Sequence, residues 1–163
     1  MIFKDLSKIS EEIKKLKNEW KKIVRTNWCF DIIHPWHIEN FRQAKILWDI
    51  LVVWINWDKS PYFVTKPGRP INNEIFRSEM LDAVKYIDYL YIFDEETPYL
   101  PISNILPNVL IKWWDYNIDT IVWAKEVIAN WWEVILVPTV WDWSTSNIVK
   151  KILETYGTGI GLN

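Results

Sequence analysis

The chain has 163 residues, half of them apolar and a quarter charged, with a formal net charge of -2. That length supports one domain around one sizeable core, and the near-neutral balance excludes a general electrostatic pull toward nucleic acid or anionic lipid. No apolar run reaches the length of a membrane span, the charged stretch Met1 to Lys22 lacks the apolar centre of a signal peptide, and a lone cysteine, Cys29, excludes a disulfide framework within the chain.

Residues 5–19 carry a charged helical pattern, and Lys22–Thr26 reads as a short strand. His37–Leu47 has helical spacing, with Ile38, Phe41, Ala44 and Leu47 on one face. Ile50–Ile55 is a continuous apolar run, as a strand covered on both faces requires. Asn73–Val84 reads as a helix capped by its asparagine. Tyr89–Phe93 reads as a strand, and Thr97–Leu106 as a helix that Pro101 is placed to break. Val109–Lys112 is a strand, Thr120–Asn130 a helix, Glu133–Val137 a strand and Ser144–Tyr156 a helix. This alternation predicts an α/β fold: a doubly wound, Rossmann-like parallel sheet of about five strands with helices on both faces. Ligands in such sheets bind beyond the carboxyl ends of the strands, where strand order reverses.

The composition carries one anomaly: 13 Trp against only 4 Gly, three of them in the last seven residues. Ordinary usage gives about 11 Gly in a chain of this length. The tryptophans sit where turns need glycine. Trp20, Trp48, Trp131 and Trp132 lie between a helix and the following strand, Trp113 and Trp114 leave a strand, Trp28 follows the first strand and Trp36 precedes a helix. Glycine commonly takes a left-handed conformation just after a helix, whereas a residue with a Cβ is penalised there by about 1–2 kcal/mol. Some bacteria read the UGA codon as glycine and others as tryptophan, so a gene of the first kind decoded by the second table yields this pattern. Trp143 is compatible with a genuine tryptophan, and Trp57 and Trp141 fit either reading. The alternative, a Trp-rich binding module that has lost catalysis, predicts tryptophans gathered on one exposed face.

With glycine at those positions, Thr26-Asn27-Trp28-Cys29-Phe30-Asp31 becomes T-N-G-C-F-D, and His34-Pro35-Trp36-His37 becomes H-P-G-H. This resembles the cytidylyltransferase-like nucleotidyltransferases, over about residues 20–155. Lys66-Pro67-Gly68-Arg69-Pro70-Ile71-Asn72, Phe93-Asp94-Glu95-Glu96-Thr97-Pro98, Lys112-Trp113-Trp114-Asp115-Tyr116 and Ser144-Thr145-Ser146, in this order, make the likeness greatest to the branch that adenylates heptose 1-phosphate. The H-P-G-H stretch alone identifies only the superfamily. The resemblance implies one nucleotidyltransferase domain over 1–163, with an N-terminal helix (1–19), a catalytic core (20–156) and a tail (157–163). It implies an enzyme taking ATP and a sugar 1-phosphate; Mg²⁺ is expected to arrive with the triphosphate, whose charge needs neutralising, without a protein metal cage, and a cytoplasmic location is the default expectation in the absence of a span or signal peptide. The tail and the first helix are the expected mobile parts.

The chemistry asked of such a site is positioning and charge stabilisation around an in-line phosphoryl transfer. The loop from Thr26 into the helix near His37 offers backbone N–H groups and a helix N-terminus to a phosphate, and glycine at 28 and 36 would let it approach closely. The resemblance makes His34 and His37 the residues that stabilise charge on the α- and β-phosphates. It makes Lys66 a triphosphate contact on a closing loop. Thr26, Asn27, Trp28, Cys29, Phe30, Asp31 and Trp36 form the nucleotide loop in this reading, joined by Lys112 and by Ser144, Thr145 and Ser146. The last three also suit a helix cap, and both roles are compatible. Arg69, Arg77 and Asp115 are candidate substrate contacts. For Arg77 a structural role is equally open, and for Lys112 and Asp115 a simple salt bridge is. Cys29 reads as a small half-buried hydrophobe rather than a nucleophile. Asn56 and Asp58 match an N-x-D stretch common after this strand, with no role assigned.

The pattern also departs from the family. Arg25 stands at a strand position that is usually apolar, and Asp142 where glycine is common. The sugar-kinase module of two-domain relatives is not in the chain, so a separate kinase is expected to supply the sugar 1-phosphate, and a homo-oligomer is compatible with the reading. Keeping the fold but changing substrate, a cytidylyltransferase acting on glycerol phosphate is the neighbouring alternative.

Overall fold

The computed structural model describes residues 1–94, 99–105, 107–113, 133–137 and 144–157. The expected helix Thr120–Asn130, together with Trp114, Asp115, Trp131, Trp132 and residues 141–143, lies outside them. In chain order the elements are β1 (Ile2–Phe3), α1 (Leu6–Asn18), β2 (Ile23–Trp28), α2 (Pro35–Leu47), β3 (Ile50–Asn56), α3 (Pro61–Val64), α4 (Glu74–Asp82), β4 (Tyr89–Phe93), α5 (Tyr99–Ile105), β5 (Val109–Trp113), β6 (Glu133–Val137) and α6 (Thr145–Tyr156).

The sheet order is β1-β4-β3-β2-β5-β6, and every pairing is parallel. The five long strands are those expected; the two-residue edge strand β1 is additional, too short to carry a pattern. Winding runs from β2 outward through β3 and β4 on one side and through β5 and β6 on the other. The reversal therefore falls between β2 and β5. Their printed register covers only Val24↔Val109 and Arg25↔Leu110. Further along, the Thr26 hydroxyl donates to the Ile111 carbonyl at 3.3 Å and ties the two strands.

Side chains alternate across the sheet because successive residues of a strand face opposite ways. Ile23, Val52, Trp54, Tyr91, Phe93 and Leu110 pack with α1 and α5 through Ile9, Ile13, Ile102 and Ile105. Val24, Leu51, Val53, Ile55, Leu90 and Ile92 pack on the other face with Phe41, Ala44 and Leu81 of α2 and α4. Both faces are covered, which explains the uninterrupted apolar run of β3. Arg25 points into the first of these cores. It is fully buried, lies 3.5 Å over the Trp54 ring, and none of its guanidinium nitrogens has a hydrogen-bond partner. Burial holds its pKa well below the ordinary value.

Several boundaries differ from the sequence reading for identifiable reasons. Strand β2 continues to Trp28 because β3 supplies partners that far, Trp28 opposite Ile55. Helix α2 starts at Pro35, whose fixed φ and missing N–H suit a first helical position. Pro101 does not break α5, because it sits in the first turn, where its N–H would have no helical partner.

Helix α1 ends in a Schellman motif. The Trp20 N–H bonds the Lys17 carbonyl (2.9 Å) and the Lys21 N–H bonds the Leu16 carbonyl (3.0 Å), with Trp20 at φ 62° and 91 % exposed. Trp48 is different. It closes α2 in extended backbone at φ -138°, so the left-handed conformation expected there is not present and the position makes no demand for glycine. Among the tryptophans whose side chains are described, only Trp20 is exposed; Trp36 and Trp54 are buried and Trp28, Trp48 and Trp57 half-buried. They form no exposed aromatic face of the kind a stacking module requires.

Candidate active site

The crevice at the β2/β5 reversal receives four segments: the loop after β2, the N-terminus of α2, the loop between α3 and α4, and the N-terminus of α6. The loop after β2 is tightly folded. Phe30 is held at φ 48° with its ring fully buried, edge-on to His37 (5.2 Å between centroids) and against Phe41 (5.4 Å). A bulky residue in the left-handed region is uncommon and strained. Burial of the ring in the α2-side core holds it there. Cys29 is buried with its sulfur 4.0 Å from the Asn56 side-chain oxygen. The Asn27 side-chain oxygen is buried without a partner.

His34 is the N-cap of α2 and His37 lies in its first turn. Both are buried, at 6 % and 1 % exposure. Their ring centroids are 3.8 Å apart with planes at 30°, and the His34 backbone N–H donates to His37 Nδ1 at 3.3 Å. That bond requires Nδ1 unprotonated, so the neutral ring carries its proton on Nε2. Burial lowers the pKa of His34, and burial reinforced by the neighbouring His34 pushes His37 down to about 3. At neutral pH the site thus holds two uncharged imidazoles, and His34 Nδ1 is buried without a partner. Trp36 stacks on His34, with centroids 6.1 Å apart and planes at 18°, and is 9 % exposed. Its indole also lies 6.0 Å from the His37 ring, centroid to centroid.

Lys66-Pro67-Gly68-Arg69 closes as a turn, with the Arg69 N–H on the Lys66 carbonyl at 3.0 Å and Gly68 at φ 77°. Proline followed by a positive-φ glycine is the type II signature. It brings the two cations to either side of one turn. Lys66 is exposed, whereas Arg69 pairs with Asp31 at 2.5 Å. Asp31 also accepts the backbone N–H groups of Ile71 (2.8 Å) and Asn72 (3.0 Å).

Arg77 is fully buried. Its guanidinium donates to the carbonyls of Asn72, Cys29 and Asn56 and to the Asp58 carboxylate (2.7 Å). With these bonds the arginine braces the loops after β2 and β3 against the one before α4. Asp58 and Glu74, at the start of α4, are bonded reciprocally, the backbone N–H of each donating to the other's carboxylate at 3.0 Å. The N-x-D spacing pointed at Asp58 without revealing its partner, which lies nineteen residues on.

At the far side Ser144 caps α6, accepting the Asn147 N–H at 3.1 Å. Thr145 donates to the Ile32 carbonyl (3.4 Å), which sets this helix end beside the histidine loop. A groove of about 510 Å³ runs between Arg69 and α6, lined by Ser146, Val149, Lys150, Leu153 and Glu154. Lys112 lies on β5 at the carboxyl edge of the sheet, its side chain not described. Asp115 falls outside the described residues. The structure thus brings together Thr26 to Asp31, His34, Trp36, His37, Arg69, Ser144, Thr145 and Ser146. Among the described residues no group of three or more His, Cys, Asp or Glu stands together as a metal site, and no helix is long and apolar enough to cross a membrane.

Comparison with known proteins agrees with this geometry. Residues 26–151 match the family model described as cytidylyltransferase-like. The bifunctional protein HldE of Marinomonas sp. (strain MWYL1) is 45% identical over 141 residues, which is 86% of this chain and 30% of the relative. That of Citrifermentans bemidjiense is 38% identical over 153 residues, 94% of this chain and 31% of the relative. The chain spans about a third of the length of these curated relatives. In fold it is similar to the lipopolysaccharide core biosynthesis protein from Thermoplasma volcanium, with a TM-score of 0.62, 23% identity and coverage of 75% of this chain and 99% of that one. It is also similar to pantoate-beta-alanine ligase from Francisella tularensis, with a TM-score of 0.63, 15% identity and coverage of 94% and 78%. With the family model spanning the histidine loop, the basic turn and the start of α6, this chain belongs to the cytidylyltransferase-like family and is a nucleotidyltransferase.

Proposed function

We propose that the chain transfers AMP from ATP to heptose 1-phosphate, forming ADP-heptose and pyrophosphate. The observation that carries the proposal is the buried, uncharged pair His34 and His37 at the N-terminus of α2, beside the strand-order reversal. A phosphate oxygen of the sugar attacks the α-phosphorus, the bond to the bridging α,β-oxygen breaks, and pyrophosphate leaves. The histidine rings and the α2 N-terminus hold charge on the α- and β-phosphates. The α6 N-terminus with Ser144, Thr145 and Ser146 receives the outer phosphates, and Lys66 reaches them from its turn. Mg²⁺ enters with the triphosphate and neutralises part of its charge. The relatives named bifunctional HldE favour the heptose substrate.

The same proposal assigns glycine to positions 28 and 36 in the native protein, through UGA codons. It is supported by Trp36, an indole buried against His34 in the first turn of α2, and by Trp20 in the left-handed cap of α1.

The test has two arms. Tandem mass spectrometry of the native peptide spanning Thr26 to Arg42 reads positions 28 and 36 directly; tryptophan at both sinks the recoding. Pyrophosphate release is then measured with ATP or CTP against heptose 1-phosphate or glycerol phosphate. Turnover with ATP and heptose 1-phosphate, reduced about 10²–10³-fold by His34→Ala or His37→Ala, is expected. Preference for CTP and glycerol phosphate overturns the substrate assignment.

A further inference from the structure

The loop carrying Lys66 and Arg69 is joined to the histidine loop through one side chain. Asp31 is 5 % exposed and makes four bonds across 38 to 41 residues of sequence. Its Oδ2 takes the Arg69 guanidinium, its Oδ1 takes the N–H groups of Ile71 and Asn72, and its own carbonyl takes the Asn72 side-chain amide at 2.6 Å. A carboxylate has about four lone-pair sites. Three of them are engaged inside the protein, so little of this carboxylate is left to meet a ligand, and a triphosphate would in any case repel it.

We propose that Asp31 is a positioning residue: it latches the Lys66 turn onto the histidine loop, and so sets where the lysine amine meets the triphosphate. The type II turn makes this transmission direct, because Arg69, held by Asp31, is hydrogen-bonded through its backbone to Lys66. Arg69 is then an anchor of the turn as well as a wall of the α6 groove. The kinetic part rests on the transfer reaction proposed above; the structural part does not.

The test therefore starts without substrate. Hydrogen exchange at the Ile71 and Asn72 amides is followed in the wild type, Asp31→Asn, Asp31→Ala and Arg69→Gln. Asp31→Asn keeps an acceptor for both amides but loses the charge pair with Arg69; Asp31→Ala loses both. Exchange is expected to quicken about tenfold or more in Asp31→Ala and by less in Asp31→Asn and Arg69→Gln, while Val53 and Leu90 amides in the sheet stay protected. Should Asp31→Ala fail to fold, Arg69→Gln and Asn72→Ala read the same latch from the other side. Unchanged exchange at 71 and 72 overturns the latch. The kinetic arm is a double-mutant cycle. If Asp31 acts through Lys66, Asp31→Asn with Lys66→Ala loses no more kcat/KM than Lys66→Ala alone, and losses that add overturn the proposal. The expected exchange order in a wild type that releases no pyrophosphate supports the latch and overturns the transfer reaction instead.

Discussion

The His34 backbone N–H donates to His37 Nδ1 across the first turn of α2, and the two rings lie 3.8 Å apart with almost no exposure. One hydrogen bond thus fixes the tautomer of His37 and stacks the pair in the place where the helix N-terminus attracts an anion. The pair has a consequence for stability. In the unfolded chain an imidazole titrates near 6.5, whereas in the fold His37 is pushed down to about 3. A lowered histidine contributes stability that is complete above its unfolded value and is lost as pH falls toward the folded one. Urea unfolding at pH 7 and pH 4.5 should show a drop for the wild type that is smaller in His37→Asn. Equal drops would mean that His37 does not titrate as a buried neutral ring.

Trp20→Gly should stabilise the protein. The Schellman cap demands positive φ, and removing the Cβ there relieves about 1–2 kcal/mol. With the indole 91 % exposed, little packing is lost in exchange. A urea midpoint that rises at constant slope is the expected result; an unchanged midpoint would mean that the residue does not hold this conformation in solution.

Arg25→Met should also stabilise a protein that carries Trp54. The guanidinium is buried over the indole with every nitrogen unpartnered. Replacing a buried charge that lacks a partner by an apolar side chain of similar length is expected to gain about 1–4 kcal/mol. Loss of stability would show that the interior around Arg25 holds water or another partner for it.

Arg77→Met should act in the opposite direction. It strands the carbonyls of Asn72, Cys29 and Asn56 and leaves Asp58 without its cation. A loss of about 3 kcal/mol is expected, read as a lower urea midpoint. A variant with wild-type stability would return Arg77 to a ligand-binding role.

Much of the fold was legible because each strand with both faces covered is a nearly unbroken apolar run, as in Ile50–Asn56 and Tyr89–Phe93, and because Asn73 and Ser144 are strong cap residues. The two-residue strand β1 and the four-residue helix α3 were not, being too short for any periodicity. Trp20 and Trp48 show that a tryptophan after a helix does not by itself reveal the backbone conformation there. Both follow a helix, but one chain exits through the left-handed region and the other through extended backbone. That choice depends on where the next strand must begin.

The sequence by itself determined the alternation of strands and helices, the placing of the histidine motif between the first long strand and its helix, and, through its motifs, the nucleotidyltransferase resemblance. These are local properties, set by periodicity, caps and the identity of a few neighbours. Only the tertiary structure decided which groups Asp31, Asp58 and Arg77 bind, that Phe30 is strained, and that Arg25 is buried without a partner. Those outcomes depend on contacts between segments that lie tens of residues apart, such as Asp31 with Asn72 and Arg77 with Cys29. A charged residue read in isolation says that it needs a partner, and the packing of the sheet and its loops chooses which one.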